Sequence, residues 1–554
     1  MKRLMLSVMV LALLLPVVPV TAQETTTVTM VHFSDYHSHA LPFYSEGQDN
    51  TAGIARAVAY LKPMADDPNT LIFNGGDTIN HGTPAWSDKY MCAEWPWFNG
   101  IVDAMAFGNH DADYGPEVFA QCQATVTFPI LSSNTLDAAG QPLFQQDGKT
   151  YVVFEAGGVK IGVLAVAGSD YVNLLNPETS PVEGVSFSDR IAAAQDVVQA
   201  LRDEEGVNAV VVIGHSLYED DLELAQAVPG IDLIFGTHSH RKQELMRIEG
   251  TDTYYIAPYQ YLTYMSQVQF TFTDGELSDV SGELVRMSSD LPEDPAIAQQ
   301  VAQMQADLEA DPEYAALFES IGEAGVELST EGKESSESLL GNFVMDIFRA
   351  QAGAHMALST ASSFRQPIPP GEILEEELRT ALPYTNVIYV YDLTGAQVQE
   401  LLDLSASYVG SDFFSQVSGV RFTIAGDQAR DVQVLNNPDD PGSGYSALDP
   451  AATYNVATTN YQGLYASGYK DLFAQASYVD TAIDVREEVR SFIQENSPVT
   501  ASLDGRLATG APTAPEEVPD TGGKPVGPLT VLLVGVILVA AGLLQRRTAL
   551  CRAG

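Results

Sequence analysis

Short apolar, β-branched segments alternate with helically spaced apolar residues through the N-terminal half of the chain. The predicted strands are Thr27–Ser34, Thr70–Asn74, Lys160–Ala167, Ala209–Ile213 and Ile231–Phe235, and the predicted helices are Ala52–Lys62, ending before Pro63, and Ser188–Glu204. Gln267–Met287 contains the Asp274-Gly275 pair that is typical of a hairpin turn. Strands that alternate with helices in this way predict a layered α/β domain over residues 23–291.

The hydrophobic pattern changes after Pro292. Apolar residues then recur at helical spacing from Ile297 to Leu308, in a segment that is otherwise acidic. We therefore predict a helical connector over residues 292–325 and a second domain, of α+β class, over residues 326–508.

The N-terminal end predicts export. Residues 1–22 combine Lys2 and Arg3 with an apolar run and with small residues before Gln23, which is the pattern of a secretory signal peptide. Prolines within the apolar run argue against a buried helix at this position. We expect an extracytoplasmic protein.

The C-terminal end predicts a surface anchor. Residues 509–525 form a linker rich in Pro, Gly and Thr, and Val526–Leu544 follows without a charged residue. At ~1.5 Å per residue the apolar segment is long enough to cross a membrane, and the arginines behind it predict a cytoplasmic tail over residues 545–554. Val518–Gly522 also resembles the sortase signal L-P-x-T-G, apart from its first residue. We favour a retained transmembrane helix over attachment to the cell wall.

The composition is that of a globular chain with a strong negative charge. The 554 residues include 73 acidic and 27 basic side chains, which gives a formal net charge of −46. Six of the basic residues lie in the terminal segments, so the body can hardly form the basic patches that bind a nucleic-acid polymer. A small anionic substrate fits this charge only if something local, such as metal ions, supplies positive charge.

The cysteines leave one structural question open. Cys92 and Cys122 would face an oxidising exterior after export, which allows a disulfide. The sequence is equally compatible with two buried free thiols, and the spacing is not that of a metal site.

Polar residues of metal-binding type concentrate in five clusters, four of which directly follow a predicted strand. The clusters are Asp35-Tyr36-His37-Ser38-His39, Gly75-Gly76-Asp77, Gly108-Asn109-His110-Asp111, Gly214-His215 and Gly236-Thr237-His238-Ser239-His240. They contain six of the nine histidines in the chain. Because the carboxyl ends of parallel strands meet at one edge of a sheet, we expect these clusters to share a site.

The chemistry of these clusters suits a pair of divalent metal ions. Carboxylate, imidazole and amide ligands favour Zn, Mn, Fe or Co, and the sequence does not identify which of them binds. One carboxylate can bridge two ions ~3.5–4 Å apart, and the ions polarise a phosphoryl oxygen and lower the pKa of a water molecule. Two such ions would hold a phosphate group inside a strongly acidic protein.

The ordered set D-x-H, G-D, G-N-H-D, G-H and G-x-H-x-H resembles the calcineurin-like metallophosphoesterases. With its second domain the chain resembles the secreted 5′-nucleotidase family, which includes UDP-sugar hydrolases and 2′,3′-cyclic-nucleotide phosphodiesterases. The resemblance covers residues 27–507. It implies a layered α/β/β/α metallophosphoesterase domain that is followed by a substrate-binding domain.

The resemblance also implies roles for individual residues. One metal would be bound by Asp35, His37, Asp77 and His240, and the other by Asp77 (as a bridge), Asn109, His215 and His238. His110 and Asp113 would form a catalytic dyad beside Asn109, in which the carboxylate supports an imidazolium that stabilises charge on the phosphoryl group. His39 and Asp111 would orient the ligands. Ser38 stands where the family commonly has glycine.

The second domain resembles the nucleotide-binding domain of the family in three segments. These are Gly341–Asp346 (G-N-L-x-x-D), Leu382–Asn386 (L-P-F-x-N) and Phe414–Gly419 (F-x-Q-x-S-G). The resemblance implies that Arg365, Tyr384, Asn386 and Tyr461 hold the nucleoside, with the two tyrosines stacking on the base.

Two departures from the family lie in the second domain. The family's G-G-D-G-[FY] segment is Ala466-Ser467-Gly468-Tyr469 in this chain, so the base-binding Asp has no counterpart. A second family arginine falls within Lys333–Glu337, where this chain has no arginine. These departures leave the substrate preference open.

We expect a surface-anchored, two-metal phosphohydrolase that converts nucleoside monophosphates to nucleoside and phosphate. The alternatives within the enzyme class are a 2′,3′-cyclic-nucleotide 2′-phosphodiesterase/3′-nucleotidase and a UDP-sugar diphosphatase. The alternative from another class is a surface nucleotide-binding protein on an inactive scaffold. The presence of all seven expected metal ligands favours an active enzyme.

Overall fold

The computed structural model describes residues 24–81, 85–171 and 184–509. The predicted signal peptide, the sortase-like motif, the predicted transmembrane helix and the tail after it lie outside these ranges. Within the described ranges, no helix has the length and the apolar character that crossing a membrane requires.

The N-terminal domain contains two six-stranded sheets, of which the first is sheet A. Its strands, in spatial order, are Glu276–Arg286, Tyr264–Thr273, Thr25–Phe33, Thr70–Asn74, Ala104–Ala106 and Ile130–Leu131. The last four strands are parallel, and Tyr264–Thr273 runs antiparallel to both of its neighbours. The hairpin predicted at Asp274-Gly275 is confirmed, since it joins the first two strands.

The second sheet, sheet B, also contains four adjacent parallel strands. Its strands, in spatial order, are Lys242–Arg247, Tyr254–Pro258, Leu233–Phe235, Ala209–Val212, Val159–Leu164 and Tyr151–Ala156. The four central strands are parallel, and the two outer strands are antiparallel to their neighbours.

The two sheets pack face to face, and helices cover their outer faces. Val28 and Phe73 of sheet A and Ile161 and Phe235 of sheet B belong to the central apolar core. Sheet A is covered by the helices Ile54–Ala65, Ala85–Tyr90, Pro116–Gln123 and Pro295–Glu309, and sheet B by Arg190–Gln199 and Tyr218–Ala227. The layer order is therefore helix, sheet, sheet, helix, as the resemblance implies.

One predicted helix boundary is wrong. The helix predicted to end before Pro63 runs through that residue, from Ile54 to Ala65. Proline lacks the N–H that would bond to the preceding turn, but here it removes only one bond near the end of the helix. Burial of Leu61 against sheet A keeps the last turn in place.

The segment predicted as a helical connector divides into two parts. The helix Pro295–Glu309 packs on the N-terminal domain through Val301 and Leu308. The strand Ser320–Ala324, further along, pairs antiparallel with Gly371–Leu374 of the second domain. The passage from one domain to the other therefore lies between these two elements.

The C-terminal domain is of α+β class. Its five-stranded sheet contains, in spatial order, Ser415–Ser418, Met356–Thr360, Thr453–Thr459, Val387–Thr394 and Tyr478–Asp484, and its four-stranded sheet contains Tyr445–Ala447, Gln428–Leu435, Val420–Ala425 and Leu507–Thr509. The helices are Leu339–Ala352, Glu375–Ala381, Gly395–Ser407, Asn460–Leu464, Tyr469–Phe473 and Val485–Asn496. Apolar clusters on both faces of the larger sheet form the core of this domain.

Short elements complete the fold. The strand pairs are Phe43–Ser45 with Gln48–Thr51 and Thr135–Leu136 with Ser186–Phe187. Single helical turns occur at Trp95–Phe98, His110–Ala112, Ala315–Phe318, Ala361–Ser363 and Pro441–Ser443, and a π-helical turn at Ala200–Glu205.

The structure answers the question that the cysteines left open. Cys92 and Cys122 form a disulfide, with a Cα–Cα distance of 5.1 Å and 30 residues of sequence separation. Cys122 is fully buried in the helix Pro116–Gln123, within the core that covers sheet A.

Removing this disulfide should destabilise the N-terminal domain. The double variant Cys92→Ala/Cys122→Ala loses a cross-link that restricts the unfolded chain, and we expect the free energy of unfolding to fall by about 3–4 kcal/mol. Urea unfolding followed by tryptophan fluorescence measures this, because Trp86, Trp95 and Trp97 belong to the same apolar cluster as the two cysteines. Reduced wild-type protein is the control and should match the variant. An unchanged midpoint in both samples would contradict the prediction.

Candidate active site

The five polar clusters follow the carboxyl ends of parallel strands in the two sheets. Thr25–Phe33, Thr70–Asn74 and Ala104–Ala106 of sheet A lead into the first three clusters, and Ala209–Val212 and Leu233–Phe235 of sheet B lead into the last two. Backbone bonds join the loops: the N–H of Asp35 donates to Gly76 O at 3.0 Å, and that of His37 donates to Asp77 O at 2.9 Å. The structure therefore brings the loops of the first two clusters together, as expected.

Asp35, His37 and His240 form one compact group. His240 Nε2 lies 3.3 Å from Asp35 Oδ1 and 3.0 Å from His37 Nε2. Burial lowers the pKa of both histidines, and their Nε2 atoms face each other at hydrogen-bond distance. Such a group, with its ligand atoms within 4.8 Å of one another, has the composition of a cation site.

Asp77, His215 and His238 form a second group beside the first. Asp77 Oδ2 lies 3.1 Å from His215 Nε2 and 3.7 Å from His37 Nε2, so this oxygen faces both groups. His215 Nδ1 donates to Gly75 O at 2.7 Å, which leaves Nε2 as the nitrogen available to a metal.

Unpartnered buried atoms test whether metal ions fit these groups. Asp35 Oδ1, Asp77 Oδ2, Asn109 Oδ1 and His215 Nε2 are all buried and make no hydrogen bond within the protein. Buried polar atoms of native proteins normally have partners, and these four converge on the two groups. The donor set therefore fits two divalent cations.

The backbone of the ligand loops is strained. Five of the expected ligands have a positive φ: 53° at Asp35, 50° at His37, 52° at Asp77, 53° at His238 and 47° at His240. A side-chain-bearing residue in this region costs about 1–3 kcal/mol, and such residues cluster at functional sites. Position 108 of the third cluster requires glycine, because a Cβ there would overlap the backbone nitrogen of Asp77.

The charges of the site stabilise its carboxylates in the ionised form. Burial alone would raise the pKa of Asp77, but the charges of His215 and His110 hold it well below its usual range. For Asp35, burial is likewise opposed, mainly by His240 and then by His215, and the pKa is lowered. Ionised carboxylates of this kind are suited to bind cations.

His110 and Asp113 are in direct contact. His110 Nδ1 lies 2.7 Å from Asp113 Oδ2, and the backbone N–H of His110 donates to Asp77 Oδ1 at 2.8 Å. Burial would lower the pKa of His110, but Asp113 and then Asp77 raise it to about 10. The His110 ring is therefore an imidazolium at neutral pH.

Three supporting residues hold the ligand loops. Asp111 accepts hydrogen bonds from the backbone N–H groups of Asp77, Thr78 and Gly108 at 3.1, 2.7 and 2.9 Å. His39 lies against the backbone carbonyls of Tyr36 and His37 and stacks on Tyr261, with ring centroids 3.6 Å apart. Asp170 Oδ2 contacts His238 Nε2 at 2.9 Å.

The sequence analysis missed Asp170 and Tyr261. Asp170 comes shortly after the predicted strand Lys160–Ala167, as four of the five clusters follow predicted strands, so the same rule could have found it. Tyr261 lies in a loop, and no pattern in the sequence indicates that it stacks on a histidine.

A cavity of about 300 Å³ opens beside the two groups, between the domains. The N-terminal domain contributes Asn109, His110, Asp113 and His238 to its wall, and the C-terminal domain contributes Arg365, Tyr384, Asn386 and Tyr461. The structure thus brings the expected catalytic and nucleoside-binding residues together around one space. A volume of this size suits a small ligand.

Arg365 links the two halves of this cavity. Its Nη1 lies 2.7 Å from His240 Nδ1, and its Nη2 donates to Tyr384 Oη at 2.6 Å. Tyr384 and Tyr461 are 41% and 38% exposed, so their aromatic faces are accessible from the cavity. A second contact between the domains is the bond from Arg241 Nη1 to Gly410 O at 2.8 Å.

A larger cavity of about 700 Å³ lies elsewhere between the domains. Its charged lining consists of Asp49, Glu309, Glu376 and Glu377, and no lysine or arginine is among the described residues around it. This negative lining is unsuited to a phosphate ester. The smaller cavity, with Arg365 and the two metal groups, is therefore the candidate active site.

Comparison with known families agrees with this geometry. Residues 28–242 match the family described as calcineurin-like phosphoesterase, and residues 320–475 match the 5'-nucleotidase C-terminal domain. The two matches cover most of the N-terminal domain, including its ligand loops, and most of the C-terminal domain.

Individual proteins resemble the chain along most of its length. Trifunctional nucleotide phosphoesterase protein YfkN of Bacillus subtilis is 27% identical over 86% of this chain, which spans only 34% of that protein's length. Protein UshA of Yersinia enterocolitica is 26% identical over 86% of this chain and 93% of its own length. The crystal structure of a 5'-nucleotidase precursor from Thermus thermophilus superposes with a TM-score of 0.69, at 28% identity, over 88% of this chain and 100% of its own.

Metal binding should distinguish Asp77 from the other carboxylate ligand. We expect two divalent ions per wild-type chain and one in Asp35→Asn, whereas Asp77→Asn should weaken both sites by at least about 100-fold, because its oxygen faces both groups. Calorimetric titration of chelator-stripped protein with Mn²⁺ or Zn²⁺ measures this. Asp203→Asn, at an exposed position, is the matched control. One tightly bound ion in Asp77→Asn would contradict the bridging role.

Proposed function

We propose that this chain, whose two domains match the calcineurin-like phosphoesterases and the 5′-nucleotidase C-terminal domain, converts nucleoside monophosphates to nucleoside and phosphate. The observation that carries the proposal is the shared cavity. Metal-binding groups form one side of it, and Arg365 with two accessible tyrosines forms the other. The relative and the solved structure named as nucleotide phosphoesterase and 5′-nucleotidase support this substrate class.

Seven residues are proposed to hold the two metal ions. One ion is assigned to Asp35, His37, Asp77 and His240, and the other to Asp77, Asn109, His215 and His238. Divalent ions bound there supply Lewis acidity toward the phosphoryl oxygens and make water more acidic. Asp170 and the Gly75 carbonyl hold the rings of His238 and His215 in fixed orientations.

His110, Asn109 and Asp113 are proposed to act on the phosphoryl group directly. Asp113 keeps His110 protonated and oriented, and Asp111 fixes the loops around Gly108 and Asp77. An imidazolium in this position stabilises the negative charge that develops on the phosphoryl or leaving oxygen. The Asn109 amide is positioned by the same turn and lines the same cavity.

The C-terminal domain is proposed to bind the nucleoside. Tyr384 and Tyr461 present aromatic faces on which a base can stack, a contact worth about 1–3 kcal/mol per base. Arg365 and Asn386 provide donors between these rings and the metal groups. The contacts of Arg365 with His240 and of Arg241 with Gly410 hold this domain against the metal-binding loops.

An extracytoplasmic location fits the proposed function. The disulfide between Cys92 and Cys122 is of a kind that persists in oxidising compartments, and the first 22 residues have the pattern of a signal peptide. Attachment to the membrane or the cell wall through the C-terminal segment is part of the same proposal.

A substrate panel tests the proposed reaction. We expect hydrolysis of AMP to adenosine and phosphate to be faster than hydrolysis of 3′-AMP, of 2′,3′-cyclic AMP to a nucleoside monophosphate, or of UDP-glucose to UMP and glucose 1-phosphate, with all products separated by chromatography. Chelation should abolish activity on all of them. Preference for the cyclic or 3′-nucleotide would favour the phosphodiesterase alternative, and preference for UDP-glucose would favour the diphosphatase. Absence of any hydrolysis, with Mn²⁺, Zn²⁺, Co²⁺ and Mg²⁺ supplied, would support a nucleotide-binding protein instead.

The role of the dyad is tested by Asp113→Asn. Loss of the carboxylate removes the main support of the His110 imidazolium, and we expect kcat for AMP to fall about 100-fold with KM nearly unchanged. Steady-state kinetics measures both parameters. His81→Ala is the control, because the His81 backbone donates to the same carboxylate while its ring packs on Tyr114. An equal effect of the two substitutions would argue for a structural role only.

A further inference from the structure

The substrate cavity contains a carboxylate to which the proposed reaction assigns no role. The described residues around the cavity include four carboxylic acids: Asp113, Asp170, Glu219 and Asp412. Asp113 and Asp170 are occupied by His110 and His238, and Glu219 is exposed. Asp412 lies on the side of the nucleoside-binding residues, in the loop before the strand Ser415–Ser418.

Two cations hold Asp412 in place. Lys333 Nζ donates to Asp412 Oδ1 at 3.0 Å, and Arg365 Nη1 lies 3.7 Å from Asp412 Oδ2. Lys333 is itself buried and also donates to Ala361 O at 3.2 Å. Burial alone would raise the pKa of Asp412, but Lys333 and Arg365 lower it to about 2, so the group is a carboxylate throughout the physiological range.

The Asp412 carboxylate lines the cavity and can accept further hydrogen bonds there. Its side chain is 20% exposed although it sits between two cations, and each carboxylate oxygen can accept more than one hydrogen bond. An ionised carboxylate accepts but does not donate. The ligand group that suits it is therefore a donor, and a pair of neighbouring hydroxyls offers two.

The position of Asp412 matches the middle of a nucleotide. Arg365 connects it to His240 at the metal end of the cavity, and Arg365 also contacts Tyr384 at the aromatic end. A nucleoside monophosphate with its phosphate at the metals and its base on the tyrosines places its ribose between them. Acidic side chains recognise ribose hydroxyls in other nucleotide-binding folds.

We propose that Asp412 accepts hydrogen bonds from the 2′- and 3′-hydroxyls of the ribose and so selects ribonucleoside 5′-monophosphates with a free diol. The inference rests on the proposed function. Asp412 would also supply a carboxylate to the nucleoside site, because the segment Ala466–Tyr469 lacks the aspartate that the family has there. A 2′-deoxy or 3′-deoxy nucleotide lacks one of the two donors and leaves Asp412 without that partner.

The test compares kcat/KM for AMP, 2′-deoxy-AMP and 3′-deoxy-AMP in the metal-loaded enzyme. We expect wild type to prefer AMP over each deoxynucleotide by about tenfold or more, as for a hydrogen bond to a charged group. In Asp412→Ala and Asp412→Asn, kcat/KM should fall chiefly for AMP. The preference should therefore shrink to within about threefold. Hydrolysis of p-nitrophenyl phosphate, which has no ribose, should change little.

Glu334→Gln is the matched control. Glu334 Oε1 lies 3.6 Å from Lys333 Nζ, so this substitution also removes a carboxylate beside the lysine, but Glu334 does not line the substrate cavity. We expect the preference for AMP to be unchanged in it. A purely structural role of Asp412 would instead lower kcat/KM equally for all three nucleotides, and that result would overturn the proposal.

The failure of this inference is separable from that of the proposed function. If wild type does not hydrolyse AMP at all, the proposed function fails. If it hydrolyses AMP and the deoxynucleotides equally well, the diol inference fails while the proposed function stands. The comparison of AMP with the deoxynucleotides uses only the wild-type enzyme, so it tests the diol inference even if the Asp412 variants do not fold.

Discussion

Two ionised carboxylates, buried beside four imidazoles, impose the constraint on which the rest of the structure depends. Asp35 and Asp77 repel each other, and burying either one without a partner would cost several kcal/mol. The surrounding imidazoles compensate this only in part, whereas two divalent cations would compensate it fully. The strained ligand loops and the close approach of Gly108 to Asp77 are features that serve this single cluster of charge.

The sequence predicted the site better than it predicted the details of the fold. Parallel strands end at one edge of a sheet, so His215 and His240 could be assigned to the same site as Asp35 although they lie far apart in the chain. Helix ends depend on tertiary packing, which is why the helix beginning at Ile54 continues past Pro63. Asp412 lies in a loop, where no periodic pattern marks a residue as facing a cavity.

The protein has a net charge of −46, although a phosphate ester is itself an anion. Positive groups close to the smaller cavity, rather than the charge of the whole surface, make the two compatible. Arg241 and Arg365 line the smaller cavity beside the metal groups, and Lys333 lies behind Asp412. The larger cavity has only acidic charged groups among its described lining residues. Because salt screens charges beyond about 8 Å, the nearest groups decide the potential. Divalent ions bound beside Arg241 and Arg365 would attract a small anion to the first cavity despite its carboxylates, whereas the acidic lining of the second would repel it.

The disulfide closes a loop of chain that includes part of the candidate active site. The segment between Cys92 and Cys122 contains Asn109, His110 and Asp113, so a single covalent bond cross-links the ends of the segment that carries the dyad. In reducing surroundings the same segment lacks this cross-link, so the stability of the turn that carries His110 and Asp113 depends on the redox state of the compartment that holds the protein.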